Sequence, residues 1–517
     1  MHKLLTVIGV LSFLFFFITS FAQMNSIDQK ISDLKQKYPI SNFTKEQMYQ
    51  DFDSLFNIFK SCDAQLEVRK QVTNCDILLE LKKLKKEIDT ITNSESFIIL
   101  LYRTLRLSQD AHCEIGSQIW FYKYSIYKKD TKNYDDESYG LAFNYEDVVN
   151  KNIKNFLWLK YIDGKYYLLY PITIYRNNDS IVISAGSIIN SINKLTISDY
   201  IKKFKDIQSD LRWDFERKCF FVNLLKKYSS FQIESVEYIF NSNAFRVDSV
   251  KNYFQTAKPF NWDSYDVSKF VKYLPKDSIL YIRCPLMNSS YIKYYKKEIT
   301  KLNNQPIKKV VIDIRGNYGG NDDVWIALLR QIIDKPFKNT IFYLSKINSI
   351  NDQFIKNKGL STKKTIFNPI WDLSNNYNVA LNITEEIKPF RNSLNFSGNL
   401  YVLQDEEIYS SASCFSDVCL NYDKLISIGC ANGQLGGQGI EAMPLKLPNS
   451  KMIIQMDIFI DNSNAKTAKD VYHSEVEIPV VLPIEYYIER EKYYENIPTE
   501  EYLYKHDILF KKVLELK

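Results

Sequence analysis

Histidine is scarce in this chain of 517 residues: only four are present, His2, His112, His473 and His506. An imidazole base therefore has few carriers. The eight cysteines form no C-x-x-C pair and no Cys/His ligand spacing, which argues against a structural zinc site. The phosphate-binding glycine patterns are missing as well. There is no G-x-G-x-x-G run and no Gly-Lys-Ser/Thr step, so neither a dinucleotide fingerprint nor a P-loop is indicated. The net charge of +6 is small for the length, and lysines are interspersed with acids rather than gathered in a stripe. Nucleic acid is thus not an expected partner. Past the first 22 residues no apolar run is long enough to span a membrane, and no internal repeat is visible.

What is present is a globular chain. At 45% hydrophobic and 25% charged residues it can bury real cores, and its length allows two or three domains. The abundant Tyr (37) and Phe (32) are scattered through strand-like and helix-like stretches and read as core or half-exposed sheet residues. Residues 1–22 read as a signal peptide: a basic start, an apolar run and a small residue before Gln23. The mature protein is expected to be exported, periplasmic or extracellular, with an uncleaved anchor as the alternative; no lipobox cysteine follows. Cys62 and Cys75 are close enough to close a small loop in an oxidising compartment, or to sit as two buried thiols. The other cysteines read as small buried hydrophobes.

Along the chain the pattern changes three times. Residues 23–115 carry helical periodicity, as in "CDILLELKKLKKEIDTITNSESFIILLYRTLRLS", and predict an N-terminal helical domain. Residues 116–254 shift to short aromatic strands such as "IWFYKYSIY" and "KYYLLYPITIY". Then "AGSIINSINKLTISDYIKKF" reads as a strand, an Asn turn and an amphipathic helix, closing a small β-rich module. Over 255–490 strands such as "KKVVIDI", "LYVLQ" and "KLISIGC" alternate with helical segments, which predicts an α/β core; 491–517 read as a helical tail.

Within that core two stretches carry chemistry. "VVIDIRGNYGGND" runs from a buried strand into a turn where Gly319 and Gly320 permit positive φ and close backbone approach, either as amide donors to a substrate oxygen or as a plain turn. "EEIYSSASCFSD" places four serines at a helix start. A hydroxyl there is presented beside unpaired amides, although a serine can equally be a simple cap. Serine needs a base. His112, in "SQDAHCEI" between Asp110 and Glu114, is one candidate; His473 is its rival, and His506 lies in a polar tail.

Together these stretches resemble the tail-specific, or C-terminal processing, serine peptidases, and more closely their tricorn-core-like branch. The family's Asp-x-Arg-x-Asn-x-Gly-Gly run stands as Asp313, Arg315, Asn317, Gly319 and Gly320. Its nucleophile segment lands on Tyr409-Ser410-Ser411-Ala412. "AGSIINSINKLTISDYI" resembles part of a PDZ-like module, with Lys194 where glycine is usual, and "NGQLGGQGIEAMPLKLPNSKMII" resembles the family's Gly-rich loop and hairpin. The resemblance implies a ClpP/crotonase-like α/β core with a PDZ-like module and a peptide or protein substrate, without metal or cofactor. It implies Ser411 as nucleophile, His112 as base, and the amides of Gly319, Gly320 and Ala412 as the oxyanion hole.

The lysine of Ser-Lys members is missing, since its step reads Gly437-Gln438-Gly439. The supporting acid of the tricorn-like branch falls on Glu477, or on Glu475 in the other register. Ala111 and Val480 depart from the branch's serine and glycine, which removes a serine relay to the histidine. Those departures also suit an inactive relative, comparable to the interphotoreceptor retinoid-binding proteins, that binds a peptide or an apolar ligand.

Overall fold

The computed structural model describes residues 27–516 except 116–134, 177–178, 209–210, 256–265, 361–365, 368–376, 438, 440–441, 473–475 and 494–497. The signal segment, "IWFYKYSIY", Gln438, His473 and Glu475 lie outside the described residues.

The N-terminal helices form because each has a cap and an apolar stripe. α1 (Lys45–Cys62) opens with a capping box between Thr44 and Gln47, and α2 (Ser94–Arg106) is capped by Asn93. Phe52, Leu55 and Phe59 of α1 meet Phe97, Leu101 and Leu105 of α2 in one core. The stretch read as β-rich opens differently from that reading. Residues Asp136–Asn152 are a helix, α3, capped by Asp135, and its Leu141, Tyr145 and Val148 join the same core. Its apolar positions carry helical spacing, with Tyr139 stacked on Phe143 one turn on.

The β-rich module follows. Its strand β1 (Ile153–Ile162) pairs antiparallel on both sides, with Lys165–Leu168 and with Leu224–Tyr228. The strand Ile188–Ile192 turns at Asn193 and Lys194 into the helix Ile197–Lys203, in the order read from the sequence. Lys194 sits at φ +66°, the left-handed conformation glycine adopts at little cost.

The core is α/β. Its six-stranded sheet runs β2 (Val271–Leu274), β3 (Ile279–Arg283), β4 (Lys309–Asp313), β5 (Leu400–Gln404), β6 (Leu425–Gly429), β7 (Ile478–Pro479). All neighbours from β3 onward are parallel, and β2 is antiparallel to β3. Parallel sheets are covered on both faces and read as unbroken apolar runs; β3 and β5 are buried at every residue. Alternate residues divide between the faces. Ile282, Val310, Ile312 and Val402 pack under α4 (Asp323–Ile332) and α5 (Ser411–Val418). Tyr281, Val311, Tyr401 and Leu403 pack under Leu509, Phe510 and Val513 of the C-terminal tail. The tail is therefore part of the core's second layer. A separate antiparallel sheet pairs Phe337–Lys346 with Tyr377–Ile387 and Phe459–Asp461.

All eight cysteines are free thiols, Cys62 and Cys75 among them. Among the described residues no helix is long and apolar enough to cross a membrane.

Candidate active site

Strand β5 delivers the chain to Asp405, and a short turn carries it to α5. Ser410, just before the helix, is held at φ 52°, ψ −127°, an unfavourable conformation for a residue with a Cβ. The bend leaves Ser411 as the first residue of the helix, where amides lack intrahelical partners and the dipole favours negative charge. Of the four serines, Ser413 is tied to Asn432 and Ser416 to Gln404, at 2.6 Å for the latter. Ser410 supplies the bend.

The turn after β4 lies directly against this bend. A Cβ on Gly319 would come within 2.7 Å of Ser410 Cβ and of the Tyr409 carbonyl oxygen, so only glycine fits at its φ of +98°. The Tyr409 amide donates to the Asn317 carbonyl at 3.0 Å, and the Gly316 amide donates to Asp405 at 2.8 Å. Beneath the turn, Arg315 is fully buried between Asp313 and Asp507, with Nη2 at 2.6 and 2.7 Å from their carboxylates. Arg315 and Arg283 hold the Asp313 carboxyl well below the usual carboxylate range, against the opposing effect of burial. In the family-like run, Asp313 and Arg315 therefore build the framework, while Asn317 and the glycines shape the surface facing Ser411.

The predicted oxyanion donors are in different states. The Gly319 amide donates to Asn317 Oδ1 at 2.8 Å, and the Ala412 amide donates to the Tyr409 carbonyl at 3.1 Å. Gly320 lies on the exposed side of the turn, and its amide has no acceptor among the described residues.

His112 reaches the same turn from the other end of the chain. Its ring packs edge-on against Tyr409, centroids 5.3 Å apart. The Tyr409 hydroxyl donates to Asp110 at 3.0 Å and accepts the Ala111 amide at 3.1 Å. Asp110 also accepts the His112 amide at 2.8 Å and pairs with buried Arg69 at 3.3 Å. Tyr409 is thus the clamp between the histidine loop and the serine turn; only its place two residues before Ser411 could have drawn attention to it in the sequence. His112 Nδ1 is buried with no hydrogen-bond partner, and no hydrogen bond joins His112 to Ser411.

Ser411 Oγ instead donates to Asp322 Oδ1 at 2.5 Å. Burial raises the Asp322 carboxyl above its ordinary value, offset in part by the hydrogen bonds from Ser411 and Trp325. Nearby, burial pushes Asp461 up to about 6. Asp457 is pushed up to about 8, first by burial and then by the charge of Asp110. Glu477 is on a different strand edge: its carboxylate accepts the Ser427 amide at 2.8 Å and the Ser427 hydroxyl, so it does not meet His112. His506 pairs with Glu489 at 2.7 Å, away from Ser411.

The middle module touches the turn that leads to Ser411. Lys160 of β1 is buried against Glu406 and Glu407, at 2.9 Å from the latter, and Arg212 donates to the Ile408 and Asn432 carbonyls at 3.3 and 2.8 Å. Between module and core lies a cavity of about 570 Å³ lined by Tyr161, Trp213, Phe221, Glu406, Val481 and Tyr487 among others.

Residues 278–470 match peptidase family S41. No curated protein matches the chain by sequence. Among solved structures, mature CPAF is similar with a TM-score of 0.54 at 12% identity, over 87% of this chain and 95% of that one. Mature CPAF complexed with lactacystin gives 0.52 at 11% identity, over 86% and 96%. At such identities the likeness is one of fold.

Proposed function

We propose that the chain is a serine-type peptidase of family S41, which residues 278–470 match, with Ser411 as its nucleophile and His112 as its base. The observation that carries this reading is the convergence on one turn: Ser411 at a helix start, the glycine loop packed against it, and His112 lying on Tyr409. Ser411 Oγ attacks the scissile carbonyl while His112 takes its proton and later returns it to the leaving amine; water then hydrolyses the acyl-enzyme. Of the proposed oxyanion donors, Gly320 leads, because the Gly319 and Ala412 amides are already engaged. One such donor is worth about 3 kcal/mol in comparable sites. Glu477 enters as the supporting acid, a part it can play only by leaving Ser427.

The substrate is a peptide or protein, and the cavity beside the middle module suits an apolar side chain of an extended segment; its size falls in the range of ligand pockets. A PDZ-like role for the module, strand addition of such a segment, is supported by the strand, turn and helix of 188–203. Export through residues 1–22 completes the reading.

A second reading, an inactive binder on the same fold, draws on Ser411 donating to Asp322 rather than to His112. Labelling of the purified mature protein by a serine-directed fluorophosphonate separates the two. The peptidase reading expects labelling in the wild type and in Ser413→Ala and none in Ser411→Ala. Labelling that survives Ser411→Ala but vanishes in Ser413→Ala would overturn the assignment, and an unlabelled wild type would favour the binder.

A further inference from the structure

The carboxylate that meets Ser411 closes the stretch "VVIDIRGNYGGND", two residues past its Asp-x-Arg-x-Asn-x-Gly-Gly part. Asp322 precedes the first residue of α4, where an aspartate ordinarily accepts an amide hydrogen bond from the first helical turn. It makes no such bond. Asn321 serves the Asp323 amide in its place, at 2.8 Å. The Asp322 side chain turns to the neighbouring helix, where Oδ1 accepts both Ser411 Oγ–H at 2.5 Å and Trp325 Nε1–H at 2.9 Å. Both donors are neutral, and no cation pairs with Asp322 among the described residues. Asp323 and Asp461, whose charges interact with it, are acids themselves. A half-buried carboxylate without a counter-charge is held at a cost. What it gains is the hydrogen bond of the one hydroxyl placed to attack a substrate.

We propose that Asp322 is a positioning residue that holds Ser411 in a resting rotamer, which the hydroxyl must leave before His112 can take its proton. The proposal rests on the Ser411–His112 reading above. A hydroxyl-to-carboxylate bond is charge-assisted and stronger than a neutral one. While it persists, the Ser411 proton points at Oδ1 and away from the imidazole. Substrate entry turns Ser411 about its Cα–Cβ bond; the bond to Asp322 breaks and one to His112 forms. The proton then passes from Oγ to the imidazole as Oγ bonds to the carbonyl carbon, and from the imidazole to the leaving nitrogen. Asp322 neither takes nor gives a proton in these steps. Trp325 fixes the carboxylate so that the serine alone moves.

The test is the rate of fluorophosphonate labelling, against pH, in the full mature chain and in Asp322→Ala, Asp322→Asn and Trp325→Phe. Asp322→Ala is expected to label about tenfold faster, as befits loss of one charge-assisted hydrogen bond. Asp322→Asn keeps an acceptor oxygen without the charge and falls between. Trp325→Phe, which frees the carboxylate to shift, gives a smaller rise and covers the case in which Asp322→Ala does not fold. In every variant the acid limb of the profile stays where it is in the wild type. Slower labelling in both Asp322 variants would make Asp322 the base and overturn the proposal, as would unchanged rates. Labelling that survives Ser411→Ala is a separate result: it overturns the nucleophile assignment and with it the proposal.

Discussion

The side of the site built around Ser411, the proposed nucleophile, and the side around His112, the proposed base, are built to different standards. On the nucleophile side nearly every group is bonded: Arg315 is clamped between Asp313 and Asp507, Arg283 braces the Asp313 and Arg315 carbonyls, and the loop above is tied to the serine turn through Asn317 and Tyr409. On the base side His112 sits in a turn beyond α2, leans on one aromatic ring, and has a buried nitrogen with no partner. Its expected supporting acid is bonded elsewhere. The contrast follows from where the parts come from. The serine turn and the glycine loop leave the ends of two adjacent parallel strands, β4 and β5, so sheet pairing sets their separation. The histidine arrives from the helical layer, and only the packing of that layer on the core positions it.

If this contrast is right, damage to the two sides should look different. The largest effect expected is on the base side: His112→Ala lowers the labelling rate about a thousandfold, while the melting temperature barely moves because ring Nδ1 has no hydrogen-bond partner among the described residues. A large fall in melting temperature would show that the base side carries structure after all. Next is Asp507→Ala, which strips one carboxylate from a fully buried guanidinium and should cost about 3 kcal/mol in urea unfolding. Retained stability there would mean that Asp313 alone suffices and that the frame is looser than its bonding indicates.

A pH dependence at the edge of the base side is the third expectation. The Asp457 carboxyl is raised from 3.8 to about 8. The folded chain therefore binds a proton that the unfolded chain releases, and this contribution is full below the unfolded value and lost as pH rises through the folded one. Asp457→Asn should gain stability over the wild type progressively between about pH 4 and pH 8, read as a melting-temperature difference larger at pH 8 than at pH 5. An equal difference at both would refute the titration.

Much of the core was legible. "KKVVIDI", "LYVLQ" and "KLISIGC" became β4, β5 and β6 because a strand covered on both faces is an uninterrupted apolar run. The helix beginning at Ser411 and the Asn turn before residue 197 also follow from local pattern. The helix α3 was masked by its aromatics, which read as strand residues although their spacing is helical. Asp507 looked like tail and proved to be a buried partner of Arg315; nothing local distinguishes a carboxylate that will be buried from one that will not.

The sequence by itself determined the apolar strands of the core and the glycine that only a close-packed turn requires, which depend on periodicity and turn chemistry acting within a few residues. The resemblance to a peptidase family, not local pattern, pointed to Ser411 among its neighbours. The tertiary structure alone decided what those groups touch. It brought Asp322 to Ser411 across 89 residues and Asp110 to Tyr409 across 299. It also left His112 Nδ1 without a hydrogen-bond partner beside them. Such pairings depend on which strands are neighbours and how the layers dock, and a side chain's hydrogen-bond partner is chosen there, by geometry in space rather than by distance along the chain.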